Sequence, residues 1–236
     1  MDKQILFRCS KLGALMTEPK LVKDKEAGNL SQTAKSFVEE VWEQNEYNYS
    51  EPVVTDEMMK GNLCEQDAMA LVQEVCNDGI FREKFKGGRL QNDFVIGSPD
   101  IVIIEHGTKI VEDTKCSFTL GTFRNAELTT LYEWQLRGYM WLTGATKARL
   151  RFCLVDTPDE ILTSLKMKFY YKFSCNEENK DYIKISEQLE HNHKPSQWLT
   201  AEQRLKTFEV EHDESKIELL KNRIAKAREY YQTIKL

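Results

Sequence analysis

GSPDIVIIEHGTKIVEDTK, residues 97–115, is the stretch from which the rest of the chain can be read. Two apolar runs, Ile101 to Glu105 and Lys109 to Cys116, flank a His106-Gly107 turn, which is the pattern of two tightly joined strands. Because side chains alternate along a strand, Val111, Asp113 and Lys115 fall on one face and Glu112 and Thr114 on the other. An acid and a lysine therefore project side by side. Asp100 follows the Gly-Ser-Pro turn and opens the partner strand, so two carboxylates and an ammonium are expected to converge at one end of the sheet.

Outward from this hairpin the elements follow in a regular order. Upstream, Ser31 to Gln44 has a Ser start and apolar residues Phe37, Val38, Val41 and Trp42 at helical spacing. A second helix is predicted over Asp56 to Cys76, with Gly61, Glu65, Ala68, Met69, Val72 and Cys76 on one stripe, which sets a carboxylate on an otherwise apolar face. A basic turn, FREKFKGGRLQ, and a short strand over Asp93 to Ile96 lead into the hairpin. Downstream, a helix over Glu127 to Thr143 precedes a strand over Lys147 to Val155. Lys166 to Ser174 reads as a further strand, and Glu214 to Ile234 as a charged helix with Ile217, Leu220, Ile224 and Tyr231 in register. The succession predicts an α/β domain around a central mixed sheet flanked by helices. Residues 1–160 are expected to form the core and 161–236 a C-terminal extension of strand plus long helix, packed on that core or on a neighbouring subunit.

The chemistry suggested by this cluster is phosphodiester hydrolysis. That reaction needs a hard cation on the phosphate, a water made nucleophilic at neutral pH, and a positive group near the charged oxygens. Asp100 and Asp113 offer hard oxygen ligands suited to Mg2+, with Mn2+ as the alternative, and Lys115 offers the positive group. The Thr114 carbonyl is a further candidate ligand. Glu65 is expected to complete the site, since a carboxylate on an apolar stripe is costly unless paired or metal-bound. On the downstream helix Leu128, Leu131, Gln135, Tyr139 and Leu142 form one row, so the Gln135 amide needs a partner: metal-bound water, substrate phosphate or a catalytic carboxylate. Tyr139, one turn on, supports the same network or contacts the DNA backbone.

GSPD followed by VEDTK resembles the signature of the PD-(D/E)xK nucleases, whose core is the restriction-endonuclease-like fold. Gln135 and Tyr139 in QLRGY resemble the QxxxY element of the branch that holds RecB and lambda exonuclease, and KGNLCE, ending at Glu65, resembles that branch's upstream helix. RCSKLGALMT near the start and CLVDTPDE at 153–160 are similar to the viral alkaline-exonuclease, YqaJ-like group of phage recombinases. The resemblance spans about residues 6–160. It implies a cation-dependent exonuclease that degrades one strand of linear double-stranded DNA, 5′ to 3′, leaving a 3′ overhang for a single-strand annealing protein in viral or prophage recombination.

On that resemblance Glu65, Asp100, Asp113 and the Thr114 carbonyl hold metal, Lys115 orients water or stabilises charge, and Gln135 positions substrate or water. Ser10, with Arg8 or Lys11, falls where such enzymes bind the 5′ phosphate. A ring-shaped homo-oligomer, a trimer by analogy, is also implied. Glu112 breaks the acid-x-lysine spacing, so Asp113 is taken as the ligand.

Bulk composition bounds these readings. A chain of 236 residues, 41% of them hydrophobic, can bury one sizeable core. The start, MDKQILFRCSKLGALM, lacks the unbroken apolar segment of a secretory signal, and no apolar run nears the roughly 18 residues of a membrane span, so a cytoplasmic protein is expected, in the bacterial host cell if the chain is viral. Six cysteines show no zinc or iron–sulfur spacing and read as reduced thiols, which argues against the CRISPR-associated and RecB single-strand nucleases that carry such clusters. A net charge of -5 does not exclude a DNA binder, because placement of basic residues matters more than their sum. Arg82, Lys84, Lys86 and Arg89, and Lys147, Arg149 and Arg151, are candidates for DNA contact or ordinary solvated charges. HNH at 191–193 lacks the flanks of the nuclease motif of that name; His106, His191 and His193 are expected in loops, and Trp134 and Trp141 in the core. The absence of GxxxxGK[ST] makes an ATP-driven helicase-nuclease improbable. A restriction endonuclease, or a catalytically silent DNA-binding module on the same fold, is the remaining competitor. Retention of every acid and the lysine speaks against silence.

Overall fold

The chain enters through strand β1 (Phe7–Arg8), a 3-10 turn at Cys9–Lys11 and the single helical turn α1 (Leu12–Leu15), then runs through α2 (Val22–Glu26) and α3 (Gln32–Tyr47) to α4 (Asp56–Leu63) and α5 (Glu65–Cys76). Short strands β2 (Leu90–Gln91) and β3 (Val95–Gly97) precede the hairpin of β4 (Ile101–Glu105) and β5 (Thr108–Cys116). After α6 (Leu120–Arg124), α7 (Thr130–Thr143) and β6 (Lys147–Cys153) come the helical pair α8 (Asp159–Lys172) and α9 (Lys180–His193), strand β7 (Leu205–Glu211) and α10 (Glu214–Tyr231). These elements belong to a computed structural model that describes residues 4–173 and 176–236; Cys175 and the end of the expected 166–174 strand at Ser174 lie outside the described residues.

Side-chain caps fix several helix starts. Ser31 Oγ accepts from Ala34 N at 3.0 Å, and Thr55, Thr119 and Thr129 cap α4, α6 and α7 in the same way, each satisfying an amide that the first turn leaves unpaired. The main sheet has the order β4-β5-β6-β7, with β5 and β6 parallel and both outer pairings antiparallel, so it is mixed as expected. Strand β3 does not join it. Ser98-Pro99 interrupts the chain before β4, and β3 instead pairs with β1 and β2 in a separate three-stranded sheet.

Three other expectations give way to the structure. The single helix over Asp56–Cys76 is two, broken at Cys64, where ψ swings to 10°. The break turns α4 so that Lys60 is buried beneath the Phe118 carbonyl, while α5 lays Ala68, Leu71 and Val72 on the sheet; one stripe runs across both pieces, and periodicity cannot register the bend. Lys166–Lys172 is helix, not strand. The alternation in KMKF stops at Tyr170-Tyr171, Asp159 and Glu160 sit favourably in the first turn of α8, and the rings of Tyr170 and Tyr182 pack α8 on α9 at 5.7 Å. His191 and His193 are in the last turn of α9, and His193 is buried with Nδ1 2.9 Å from Thr157 Oγ1.

The C-terminal strand exists, but as β7, in register with β6 from Lys147↔Glu211 to Cys153↔Leu205. It completes the central sheet, so the division at residue 160 cuts through one core instead of separating a core from an extension. The α10 face of Ile217, Leu220, Ile224 and Ala227 is fully buried against α3 and α1, and each large side chain there contributes about 2 kcal/mol on burial. Polar ties follow the same seam: Arg223 reaches Glu18 at 2.8 Å, and the hydroxyls of Tyr230 and Tyr231 donate to Glu39 and Glu46. Among the described residues no helix is long and apolar enough to cross a membrane.

Candidate active site

Strand β5 is flanked by β4 and β6 and covered on one side by α7, so an inward side chain on it is shut off from water. Asp113 is 1% exposed. Its Oδ1 accepts from Gln135 Nε2 at 3.0 Å, and Gln135 Nε2 also reaches Tyr139 Oη at 3.2 Å, so the partner that the buried amide required is a carboxylate. Lys115 Nζ stands 2.6 Å from Asp113 Oδ2 as an ion pair, yet off the line of a hydrogen bond, which leaves Oδ2 buried without an aligned donor. Burial, opposed by Lys115 and reinforced by the neighbouring Asp100 charge, raises the Asp113 carboxyl to about 6. For Lys115 burial works against the charge, but the attraction of Asp113 and Asp100 outweighs it and holds the ammonium above the usual lysine range.

Asp100 closes the other side. In the β4–β5 ladder Ile101 faces Glu112, which brings Asp100 to the β5 end where Asp113 lies. Asp100 Oδ2 accepts from the Thr114 amide at 2.9 Å and from its hydroxyl at 3.3 Å. Glu65 is the first residue of α5, half-buried and not fully enclosed as its stripe suggested, with Oε2 2.6 Å from Lys84 Nζ. Glu65, Asp100, Thr114 and Lys115 all line one cleft of about 780 Å³, whose apolar wall includes Tyr132 and Phe152. Lys115 Nζ is 5.8 Å from the Tyr132 ring centroid, and that ring meets Phe152 edge-on at 5.6 Å.

Helix α7 can carry Gln135 this close because of Gly138. A methyl group there would meet Leu12 Cδ1 at 2.7 Å and Cys9 Sγ at 2.9 Å, so α7 lies directly on the Cys9–Leu15 segment only with hydrogen at that position. Tyr139, on the same contact, is buried; its hydroxyl serves the Gln135 network, and burial together with Asp113 raises its pKa.

The opposite face of β5 carries different chemistry. Glu112 is fully buried, and its two oxygens receive Arg82 Nε at 2.8 Å, Arg151 at 2.7 Å and Arg149 at 3.3 Å. Arg149 also clamps Glu105 and Glu209, and Arg82 pairs with Asp78. Three of the basic residues considered for DNA contact are therefore turned inward on one carboxylate. Burial opposes the Glu112 charge, but the arginines prevail and its pKa is lowered.

The N-terminal trio is not in the cleft. Arg8 and Lys11 pair with Glu40 at 3.9 and 3.5 Å, and Ser10 is exposed on the intervening 3-10 turn. Neither the Glu65–Lys84 pair, whose partners nothing local links, nor Tyr132 as cleft wall, off the row of Leu131 and Gln135, is visible in one sequence. Five of the six cysteines are described, and all five are free: Cys9, Cys64 and Cys153 are buried, Cys76 and Cys116 half-buried.

No protein-family model matches this chain, and no curated protein matches it either. Solved structures do. A phage-related exonuclease from Haemophilus somnus 129PT superposes with a TM-score of 0.75 at 26% identity, over 97% of this chain and 94% of that one. This chain has the phage-related exonuclease fold. An alkaline exonuclease from Laribacter hongkongensis shares that fold, with a TM-score of 0.59 at 14% identity over 97% of this chain and 89% of that one, and it has also been crystallised in complex with dAMP. Both alignments run through β7 and α10, so the phage-exonuclease fold includes the C-terminal segment that the sequence motifs, confined to about residues 6–160, left unassigned.

Proposed function

We propose that this chain is a metal-dependent exodeoxyribonuclease that hydrolyses linear double-stranded DNA, 5′ to 3′, to leave 3′ overhangs. The observation that carries the reading is the buried Asp113 carboxylate, one oxygen lacking an aligned donor, paired with Lys115, which lines a cleft together with Asp100 in a chain with the phage-exonuclease fold.

Among the described residues no three carboxylate, thiol or imidazole groups already stand at cage geometry, because Glu65 is drawn to Lys84 and Asp100 to Thr114. The donor set nonetheless suits a hard divalent ion: carboxylate oxygens of Asp100, Asp113 and Glu65 would hold Mg2+ or Mn2+, with the Thr114 carbonyl as a further ligand. When bound, such an ion supplies charge neutralisation at the phosphate and a more acidic water. Hydrolysis forms a bond from water oxygen to phosphorus and breaks the bond from phosphorus to O3′; the water loses a proton and O3′ gains one. Lys115 stays protonated beside Asp113, so its part is to orient the water and balance negative charge on the phosphate rather than to take up a proton. Gln135 holds the Asp113 carboxylate in place, and Tyr139 holds Gln135. Ser10, Arg8 and Lys11 are the proposed 5′-phosphate contacts, which requires the Glu40 pairs to open, and a homo-oligomeric ring would supply further basic residues around the duplex.

The test offers linear duplex with 5′-phosphate or 5′-hydroxyl ends, and a closed circle, with Mg2+ or with chelator. Digestion is expected only for linear DNA with metal, faster from phosphorylated ends. Cutting that survives Asp113→Ala unchanged refutes the site.

A further inference from the structure

The geometry points to Lys84 as a latch on the cation site: its ammonium holds Glu65 away from Asp100 and Asp113 until a divalent ion displaces it, and is then free for substrate phosphate. The inference rests on the function proposed above and concerns how that site is loaded. Lys84 Nζ is 2.6 Å from Oε2 of Glu65, which lines the cleft together with Asp100. One carboxylate of the expected ligand set is thus already neutralised by a protein cation.

The backbone around Lys84 is pinned on both sides. Phe85 N donates to the Asp100 carbonyl at 2.7 Å, and Arg82, fully buried, is bonded to Glu112 and Asp78 beneath the sheet. The loop therefore delivers residue 84 to the ligand strand at a fixed place. Only the Lys84 side chain, 66% exposed, is free to move. Without the pair, the cleft wall presents Glu57, Glu65, Asp100 and Glu127 against the single cation Lys115, a surface that repels a phosphate backbone. Glu65 released from Lys84 would be free to join Asp100 and Asp113 around a divalent ion, whose charge density exceeds that of an ammonium. The displaced Lys84 then adds a positive charge beside the cleft, available to a phosphate. Cation binding and DNA binding are coupled through this one side chain, and by reciprocity each tightens the other.

The test measures binding of Mn2+ alone by electron paramagnetic resonance, and of a 5′-labelled duplex in Ca2+ by fluorescence anisotropy, for wild type, Lys84→Gln, Lys86→Gln and Asp113→Asn. Lys86 is on the same loop but pairs with Glu83, so it controls for simple loss of nearby positive charge. Lys84→Gln is expected to bind Mn2+ about fivefold more tightly than wild type, the size of one exposed ion pair, and to lose much of the cation's enhancement of DNA affinity. Lys86→Gln is expected to leave both unchanged. Equal tightening in the two lysine variants, or none in Lys84→Gln while wild type binds Mn2+ and Asp113→Asn does not, overturns the latch and leaves the functional reading standing. A wild type that binds no divalent ion overturns both.

Discussion

The two faces of β5 carry neighbouring acids in opposite electrostatic states. Glu112 is saturated by three guanidinium groups; Asp113, one residue on, is paired with the cleft-lining Lys115 and keeps an oxygen with no aligned donor. Both are essentially inaccessible to water, so burial does not distinguish them. What differs is the provision of partners. A carboxylate given every donor it can use is structural, because nothing is left with which to bind anything else. One left short is held in a costly state that an external cation relieves, and such deficits gather at functional sites.

Several substitutions sharpen or break this contrast. The largest effect is expected from Asp113→Asn on turnover, a loss of about a thousandfold or more, roughly 4 kcal/mol of transition-state stabilisation, measured as single-turnover rates with Mg2+. Glu112→Ala should come next, through stability alone. It strands buried arginines, and a destabilisation of about 3–5 kcal/mol in denaturant melts is expected; a loss under about 1 kcal/mol means that the underside is not a closed charge network.

On the cleft face stability should move the other way. The Asp113 carboxyl, lifted to about 6 in the fold, is ionised at pH 8 at a cost that the unfolded chain does not bear. Asp113→Asn is therefore expected to stabilise the metal-free protein by about 1–2 kcal/mol at pH 8, and the gain should vanish as pH falls below the unfolded carboxyl range near 4. A gain that persists at pH 4 shows that relief of charge burial is not its cause.

The smallest effect lies away from β5. Burial, aided by the Lys60 charge, lowers the His193 pKa, so the folded protein resists a proton that the unfolded chain accepts. Stability should decline as pH falls through the unfolded histidine range near 6.5, and His193→Gln should flatten that decline by under about 1 kcal/mol in melts from pH 7 to 5.

Strand alternation alone separated Glu112 from Asp113, because a period of two is a property of the extended backbone and needs no tertiary knowledge. Gln135 was legible for a related reason: an amide in an apolar helical row must find a partner, and Asp113 is that partner. The arginines went unread because β6 alternation shows that Arg149 and Arg151 share a face but not that Glu112 waits beneath it; cross-strand register, Glu112↔Arg149 and Thr114↔Arg151, is invisible in one sequence. β7 was missed since LKTFEVE is half-exposed on an edge and carries little apolar signal, while the aromatic KMKFYYK drew the strand assignment to a helix whose rings pack on its neighbour.

The late position of β7 bears on synthesis. A ribosome making this chain releases β4, β5 and β6 before two helices and a loop, so β6 emerges with an unpaired edge and stays so until residues 205–211 clear the exit tunnel. During that interval the nascent sheet is a template for stray pairing, and fragments that stop short of β7 should collect in inclusion bodies.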